Sequence, residues 1–236
     1  MMSRRLYLDD SYCRECDGAV VAVDGAACAL SQTVFHPGGG GQPHDRGTLV
    51  VRGEPVAVTV VREGSDGLIW HEVARPLELG DEVRAVLDWS FRFELMRHHA
   101  LMHIVNTVAR DRFDGAITGA QLGVERSRID LKLDGFGREQ LGVFEAEVNA
   151  VIAKRLAIAS SVISEEEFRA RPELVRTLNV APPVVDGAVR IVEISGYDAQ
   201  ACGGTHVHST GEIGEARLVK FDNKGRDNKR FYWELR

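Results

Sequence analysis

A chain of 236 residues, 44% of them hydrophobic and 27% charged, can bury a substantial core as one large domain or as two smaller ones. The composition contains no low-complexity run and no apolar stretch long enough to span a bilayer, so we expect a globular protein that does not insert into a membrane. The net charge of −6 excludes a protein that binds nucleic acid indiscriminately through its overall charge.

The cysteines and the first residues indicate the cellular compartment. Four cysteines at irregular spacing do not form a disulfide framework, and acidic residues interrupt the first ten residues before an apolar signal-peptide core can form. We therefore expect a cytoplasmic protein with reduced thiols. Cys13 and Cys16 form an isolated pair without two further metal ligands at convincing spacing; we interpret Cys16 as a strand-core residue and Cys13 as incidental.

Residues 1–88 are predicted to form a β-barrel-like domain. Runs of β-branched residues occur at 20–23, 47–51 and 56–61, and Gly, Asp or Pro bounds each run. Short strands separated by frequent turns are typical of a small barrel.

A glycine-rich segment from Pro37 to Gly47 interrupts this region. Its four consecutive glycines disfavour regular structure and suit a loop whose backbone N–H groups lie against a ligand. The segment lacks the Lys and the Ser or Thr of a phosphate-binding P-loop, which argues against a nucleoside triphosphate site. A flexible hairpin is the alternative interpretation.

A long helix is predicted from Trp89 to Asp111, with Asp88 as its N-cap. His99 and His103 lie four residues apart beside its apolar arc. This spacing places both imidazoles on neighbouring turns of one helix face, where they can reach the same ion.

Residues 89–236 mix helices and strands without a βαβ rhythm, which predicts an α+β domain. The elements predicted after the long helix are paired strands over 117–122 and 127–133, a helix over 138–159, a short helix from 165 behind a Ser164 N-cap, and strands over 189–194, 211–219 and 230–235.

The second ligand motif is Cys202 followed four residues later by His206, with two glycines between them that permit a sharp turn. Three imidazole nitrogens and one thiolate suit Zn²⁺ in tetrahedral geometry. Because the chain has only 8 His and 4 Cys, the two motifs together predict one zinc ion bound by His99, His103, Cys202 and His206. His208 is the alternative ligand if the local strand register differs.

Positive charge is concentrated at residues 217–236. Seven lysines and arginines stand there against three acidic residues, a net charge of +4 that leaves −10 for the rest of the chain. A basic segment on an acidic body could contact phosphates. An edge strand that lysines and arginines protect from aggregation accounts for the same charges.

Taken together, the motifs resemble those of the AlaX-type alanyl-tRNA editing proteins, freestanding relatives of the editing domain of alanyl-tRNA synthetase. The matching segments follow the expected order over nearly all of the chain: Pro37–Gly47, Gly80–Val83, Met96–His99 with His103, Arg126–Asp130, Cys202–Val207, Thr210–Gly214 and Lys224–Gly225. The glycine-rich region makes the chain similar to the longer, two-part form of the family. The chain departs from the family at Ala100, where threonine is usual.

The resemblance implies a small N-terminal β-barrel over 1–88, followed over 89–236 by a zinc-containing α+β editing domain of the threonyl/alanyl-tRNA synthetase type. It implies a metal-dependent hydrolase that cleaves the ester joining a wrong amino acid, serine or glycine, to tRNA(Ala). On the family's motif, the four metal ligands are the same as those that the spacing predicts.

The resemblance also implies where substrate binds. Thr118 falls where family members carry a threonine close to the substrate, and with Gln121 it could hydrogen-bond the serine side chain. The glycine-rich loop should border the same pocket; its residues assigned to substrate are Gly39, Gly40, Gly41 and Gln42.

Other functions remain open at this point. A zinc-stabilised RNA-binding module without catalytic activity would also explain a closed four-ligand shell and a basic segment. No catalytic residue beyond the zinc ligands is evident, and Glu193 and Asp198 are the first candidates for a general base. A metallopeptidase is disfavoured because no Glu lies between the two helical histidines.

Overall fold

The computed structural model describes residues 2–176, 184–185 and 187–236, and the chain divides into two compact units, Met1–Glu94 and Leu95–Arg236. The predicted α+β class is confirmed, and six strands close into a barrel. Within the described residues, no helix has both the length and the apolar character that crossing a membrane requires.

The first unit consists mainly of short strands. Its elements are β1 Arg4–Arg5, α1 Leu6–Asp9, β2 Glu15–Asp24, β3 Ala27–Leu30, β4 Gln32–Thr33, β5 Gly47–Val51, β6 Glu54–Glu63, β7 Ile69–Val73, β8 Glu82–Leu87 and the start of α2 Trp89–Phe113.

The second unit continues α2 and adds two sheets. Its further elements are β9 Ala116–Gln121, β10 Ser127–Lys132, α3 Leu141–Ala153, β11 Ile158–Ser164, α4 Glu165–Arg169, β12 Val184–Val185, β13 Ala188–Ile194, β14 Asp198–Ala201, β15 Ala216–Asn223 and β16 Asn228–Leu235. Single 3-10 turns lie at Arg138–Gln140, Pro172–Leu174 and Thr210–Glu212.

The barrel has the strand order β2-β3-β7-β6-β5-β8 and is closed, with every neighbouring pair antiparallel. The predicted strands at 20–23, 47–51 and 56–61 are confirmed as parts of β2, β5 and β6. Alternate side chains such as Leu49, Ile69 and Val83 fill its interior, which is the period-two pattern of a half-buried strand. Cys16 packs against this core as predicted, and Cys13 packs against it too.

A buried ion pair fixes the glycine-rich segment inside the first unit. The Arg92 guanidinium donates to both carboxylate oxygens of Asp45, through Nε at 2.8 Å and through Nη2, and it also donates to the carbonyl oxygens of Ser11 and Val34. The Arg92 and Asp45 side chains are fully buried. These four hydrogen bonds pair and satisfy a charge that is removed from water, as its burial requires.

Helix α2 begins at the predicted Trp89 and ends at Phe113, two residues beyond the predicted Asp111. The Asp88 carboxylate accepts a hydrogen bond from the Phe91 N–H at 3.1 Å, which makes Asp88 the N-cap. At the other end, Asp114 has a φ of 51° and its N–H donates to the Arg110 carbonyl at 3.1 Å, the pattern of an αL cap.

One sheet of the second unit has the order β15-β16-β10-β9. Phe231 and Trp233 of β16 are fully buried and pack against Phe144 of α3, with ring centroids 5.2 and 5.7 Å from it. The alternate residues of β16 therefore project from the opposite, more exposed face of the sheet. The predicted pairing of strands near 117–122 and 127–133 is confirmed as β9 and β10.

The predicted helix over 138–159 is wrong in its C-terminal part. Helix α3 ends at Ala153, Arg155 takes a φ of 52°, and Ile158–Ser164 forms β11, which pairs antiparallel with β13 along its whole length. Long-range pairing with a strand thirty residues away overrides the local helical pattern here. The strand predicted over 211–219 begins instead at Ala216.

Candidate metal centre

The structure brings the two predicted ligand motifs together. His99 and His103 lie one turn apart on α2, and their ring centroids are 5.1 Å from each other. Cys202 directly follows β14, and His206 lies four residues further along the same loop. One nitrogen from each histidine and the Cys202 sulfur all lie within 4.8 Å of one another.

The distances between donor atoms fit a single small cation. Cys202 Sγ lies 3.5 Å from His99 Nε2 and 3.8 Å from His206 Nε2, and His206 Nε2 lies 3.1 Å from His103 Nε2. Tetrahedral bonds of the length that zinc makes to nitrogen and sulfur separate neighbouring donors by about 3.3–3.8 Å. The four residues could therefore hold a metal ion, and their chemistry favours Zn²⁺ over hard, oxygen-seeking cations.

Burial keeps the imidazoles in the form that binds metal. It lowers the pKa of His103 to about 4, with the negative charge of Asp198 opposing it, and it lowers the pKa of His206 well below its ordinary value, with the charges of His99 and His103 adding to the effect. Burial raises the pKa of the Cys202 thiol, while a Gly204 hydrogen bond and the Arg190 charge oppose the rise. Metal binding at neutral pH would therefore displace a proton from this thiol.

Arg190 holds the loop that carries Cys202 and His206, and sequence reasoning missed it. Its Nη1 donates to the carbonyl oxygens of Cys202 at 3.0 Å and Gly204 at 2.9 Å. Its own carbonyl accepts the Cys202 N–H at 3.0 Å. The guanidinium thus clamps two turns of the ligand loop from strand β13. The sequence signal for it is an arginine within a strand that is apolar except for this residue and Glu193.

The two candidate general bases occupy different environments. Asp198 is buried; its carboxylate lies 3.0 Å from Arg176 Nη2 and accepts from Gln200 Nε2 at 2.6 Å. Arg110 Nη1 lies 3.6 Å from the same carboxylate. Glu193 is exposed on β13. Because the Asp198 oxygens already accept hydrogen bonds, this residue fits a structural anchor beside His103 better than a base.

The remaining predicted site residues are placed as follows. His208 is exposed, so His206 is the member of the pair that joins the cluster. Thr118 lies at a register shift of β9, and its hydroxyl donates to Asn228 Oδ1 at 3.3 Å. Gln121 is exposed at the end of β9. A substrate role for Thr118 and Gln121 stays a prediction.

The glycine-rich loop belongs to the first unit and forms a tight hairpin there. Gly39 and Gln42 exchange two backbone hydrogen bonds of 3.0 and 2.9 Å. Gly38 through Gly41 have φ values between 58° and 117°, a region that residues with a side chain rarely adopt. The loop is a defined structure, and the assignment of Gly39, Gly40, Gly41 and Gln42 to substrate stays a prediction.

Comparison with known proteins places this fold and cluster in a class. The family described as the threonyl and alanyl tRNA synthetase second additional domain matches residues 189–232, which contain Arg190, Cys202 and His206. The second unit therefore contains a segment similar to this accessory domain of the threonyl and alanyl tRNA synthetases, and two of the four potential metal ligands, Cys202 and His206, lie inside the matched segment.

Full-length relatives narrow the class further. The alanyl-tRNA editing protein AlaX-M of Saccharolobus solfataricus is 37% identical over 238 residues and covers 100% of both chains, and that of Methanosarcina mazei is 35% identical over 99% of this chain and 97% of its own. The alanine–tRNA ligase of Korarchaeum cryptofilum is 36% identical over 92% of this chain but only 24% of the ligase. The chain belongs to the AlaX-type alanyl-tRNA editing proteins.

Proposed function

We propose that this protein is a trans-editing hydrolase that deacylates tRNA(Ala) carrying serine, glycine or both. The observation that carries the proposal is a His₃Cys cluster within a chain that matches freestanding editing proteins from end to end. Because the chain matches only about a quarter of the ligase, it would act on the charged tRNA after release from the enzyme that charged it.

Such an activity answers a known difficulty of amino-acid selection. Glycine is smaller than alanine and serine differs by one hydroxyl, so an activation pocket built for a methyl group rejects either by only one to three orders of magnitude. A second site that hydrolyses the errors restores accuracy. To leave alanyl-tRNA intact, that site must bind a side-chain hydroxyl favourably or exclude the methyl group of alanine.

One Zn²⁺ per chain, held by His99, His103, Cys202 and His206, is the cofactor that we propose. The ion would supply a Lewis acid able to orient and polarise the substrate beside the scissile ester. The chain's own residues do the rest of the positioning: α2 fixes two ligands at one-turn spacing, and Arg190 fixes the loop that carries the other two. No described side chain is assigned as general base.

Substrate recognition is assigned to the outer face of β9. The Thr118 hydroxyl already finds a partner in Asn228, so it sits in a polar environment where a serine hydroxyl could join the hydrogen-bond network. An alanine substrate would leave those polar groups unpaired, at a cost of roughly 1–3 kcal/mol. Within this proposal, residues 89–236 constitute the editing domain, residues 1–88 the barrel domain, and the protein acts in the cytoplasm.

A second candidate is a zinc-stabilised RNA-binding module without catalysis. Four protein ligands fill a tetrahedral shell, and filled shells are typical of structural zinc sites. Release of labelled amino acid from Ser-tRNA(Ala), Gly-tRNA(Ala) and Ala-tRNA(Ala) separates the two candidates. We expect release of serine or glycine but not of alanine, and its loss after zinc is removed by a chelator; an intact ester in every case would favour the binding module.

A further inference from the structure

The exposed face of the β15-β16-β10-β9 sheet carries a row of polar side chains. Strand register places Lys220 of β15 opposite Tyr232 of β16, Tyr232 opposite Arg128 of β10, and Arg128 opposite Gln121 of β9. Directly opposed residues of antiparallel strands point to the same side of the sheet. We name this row, with Arg126, the Tyr232 face.

Cations surround the aromatic ring at the centre of this face. Lys220 Nζ lies 4.9 Å from the Tyr232 ring centroid, and the Arg126 guanidinium carbon lies 5.2 Å from it. Arg128 stands beside the ring, and its buried Nε finds no hydrogen-bond partner among the described residues. The Lys220 side chain is 53% exposed and its Nζ lies 3.1 Å from Asp222 Oδ2 at the edge of this face, and Arg126 is exposed.

Other cations of the basic segment are used inside the protein. Lys229 is buried, and its ammonium donates to Asn223 Oδ1 and to the carbonyl oxygens of Gly225 and Arg226, which closes the turn between β15 and β16. Arg230 makes a bidentate pair with Asp130 at 2.6 and 2.9 Å. Lys229 and Arg230 are therefore engaged within the protein, whereas Lys220 and Arg126 lie against the Tyr232 ring at the surface.

An aromatic ring flanked by cations is a combination that binds single-stranded nucleic acid, because a base stacks on the ring while phosphates lie against the cations. This cluster of positive charge contrasts with the net charge of −6 of the whole chain. Gln121, in the same row, is already assigned to substrate. We propose that the Tyr232 face binds the single-stranded end of the tRNA, with a base stacked on Tyr232 and phosphates held by Arg126, Arg128 and Lys220.

This proposal rests on the proposed function for the identity of the RNA, and it is tested by binding alone. The probe is uncharged tRNA(Ala), titrated with the zinc-loaded full chain over a series of KCl concentrations. Replacing two cations, Arg126→Gln with Lys220→Gln, should weaken binding about tenfold at low salt and make the slope of log affinity against log salt shallower by about 1.4, the value for two phosphate contacts on a single strand. The same loss of affinity from Tyr232→Leu, about tenfold, and near wild-type affinity for Tyr232→Phe would identify stacking on the ring.

The matched control removes the same charge from other exposed positions. Arg52 and Arg169 have side chains 76% and 75% exposed, and Arg52→Gln with Arg169→Gln should leave affinity and salt slope within about twofold of wild type. Zinc content and thermal unfolding of each variant show that the fold is kept.

Several outcomes would overturn the proposal. One is a wild-type salt slope in the Arg126/Lys220 double variant. Another is a loss of affinity in the Arg52/Arg169 control variant equal to that in the double variant. The third is a wild-type protein that does not bind tRNA(Ala). Hydrolysis of Ser-tRNA(Ala) by the wild-type protein is measured separately. A protein that binds through this face without hydrolysing the ester would contradict the proposed function and leave the binding surface in place.

Discussion

Arg190 shows how one side chain outside the ligand set can determine a metal site. Its Nη1 donates to two backbone carbonyls of the ligand loop, so it constrains the backbone that carries Cys202 and His206. Partners that orient ligands in this way contribute strongly to metal affinity. The sequence offers no spacing rule for such a residue, because only the β13–β14 hairpin brings position 190 beside position 202.

We expect Arg190→Gln to weaken zinc binding by about tenfold to a hundredfold, since the loop loses both hydrogen bonds. Competition with a chromophoric zinc chelator measures this directly. Arg190→Lys keeps the positive charge but loses the planar arrangement of N–H donors. Its zinc affinity should therefore lie between those of wild type and Arg190→Gln. Arg169→Gln, an exposed replacement elsewhere in the same unit, is the control. Wild-type zinc affinity in Arg190→Gln would contradict the clamp.

Thr118 tests the proposed reading of the serine hydroxyl. Thr118→Val keeps the shape of the side chain and removes its hydroxyl, so deacylation of Ser-tRNA(Ala) should fall roughly tenfold, the equivalent of one lost hydrogen bond. Deacylation of Gly-tRNA(Ala) should change by less than about twofold, because glycine offers no side-chain partner. Equal losses with both substrates would show that Thr118 supports the strand and does not recognise serine.

His71 makes the stability of the first unit depend on pH. Its ring nitrogens lie 3.0 Å from the Thr33 hydroxyl and 3.4 Å from the Cys28 carbonyl, and burial lowers its pKa to about 4. The unfolded chain, with a His pKa near about 6.5, therefore binds the proton first. The contribution of His71 is fully present above pH 6.5 and declines as the pH falls toward 4, by about 2 kcal/mol at pH 5.

Comparison of His71→Gln with wild type isolates this effect, because the other buried histidines are common to both proteins. Denaturant unfolding of the zinc-saturated proteins at pH 7 and pH 5 is the measurement. From pH 7 to pH 5, the free energy of unfolding of the wild-type protein should fall by about 2 kcal/mol more than that of His71→Gln. An identical pH dependence in the two proteins would argue against a neutral, buried His71.

At the scale of elements, strong local signals were read correctly and long-range ones were not. Asp88 marks the start of α2 through a capping contact made within a few residues, so the sequence suffices to place it, whereas α2 ends at Phe113, two residues beyond the predicted Asp111. The helix predicted over 138–159 runs past the observed end of α3 at Ala153 and into the first two residues of β11, whose structure only the pairing with β13 decides. The same distinction applies to the site, where spacing predicts the ligand pairs and tertiary structure supplies Arg190.

The Arg92–Asp45 pair connects the start of α2 with the segment after the glycine-rich loop, inside the first unit. Arg92→Met leaves the buried Asp45 carboxylate without its cation, which should cost about 3–5 kcal/mol of unfolding free energy. Arg52→Met removes an exposed arginine that also pairs with an aspartate, Asp81, and should cost less than about 1 kcal/mol. Denaturant unfolding compares the two, and a similar small loss in both would mean that the buried pair is not an anchor.

At the scale of the whole molecule, an acidic chain carries two features that suit an acylated RNA end. One is the buried His₃Cys cluster, and the other is the cationic Tyr232 face of the second unit. The match over the full length of an alanyl-tRNA editing protein fits a chain that edits charged tRNA.

The central claim is that Zn²⁺ in the His₃Cys cluster supports hydrolysis of a mischarged tRNA. The most direct test measures zinc content and release of serine from Ser-tRNA(Ala) on the same preparations of wild type, Cys202→Ala and the matched control Cys13→Ala. We predict one zinc per chain and rapid release of serine for wild type and for Cys13→Ala. Cys202→Ala should lose its zinc and its release of serine together. Wild type stripped by a chelator should lose both as well, and added Zn²⁺ should restore both in the stripped protein. Full release of serine by a zinc-free protein, or an undiminished zinc content in Cys202→Ala, would contradict the claim.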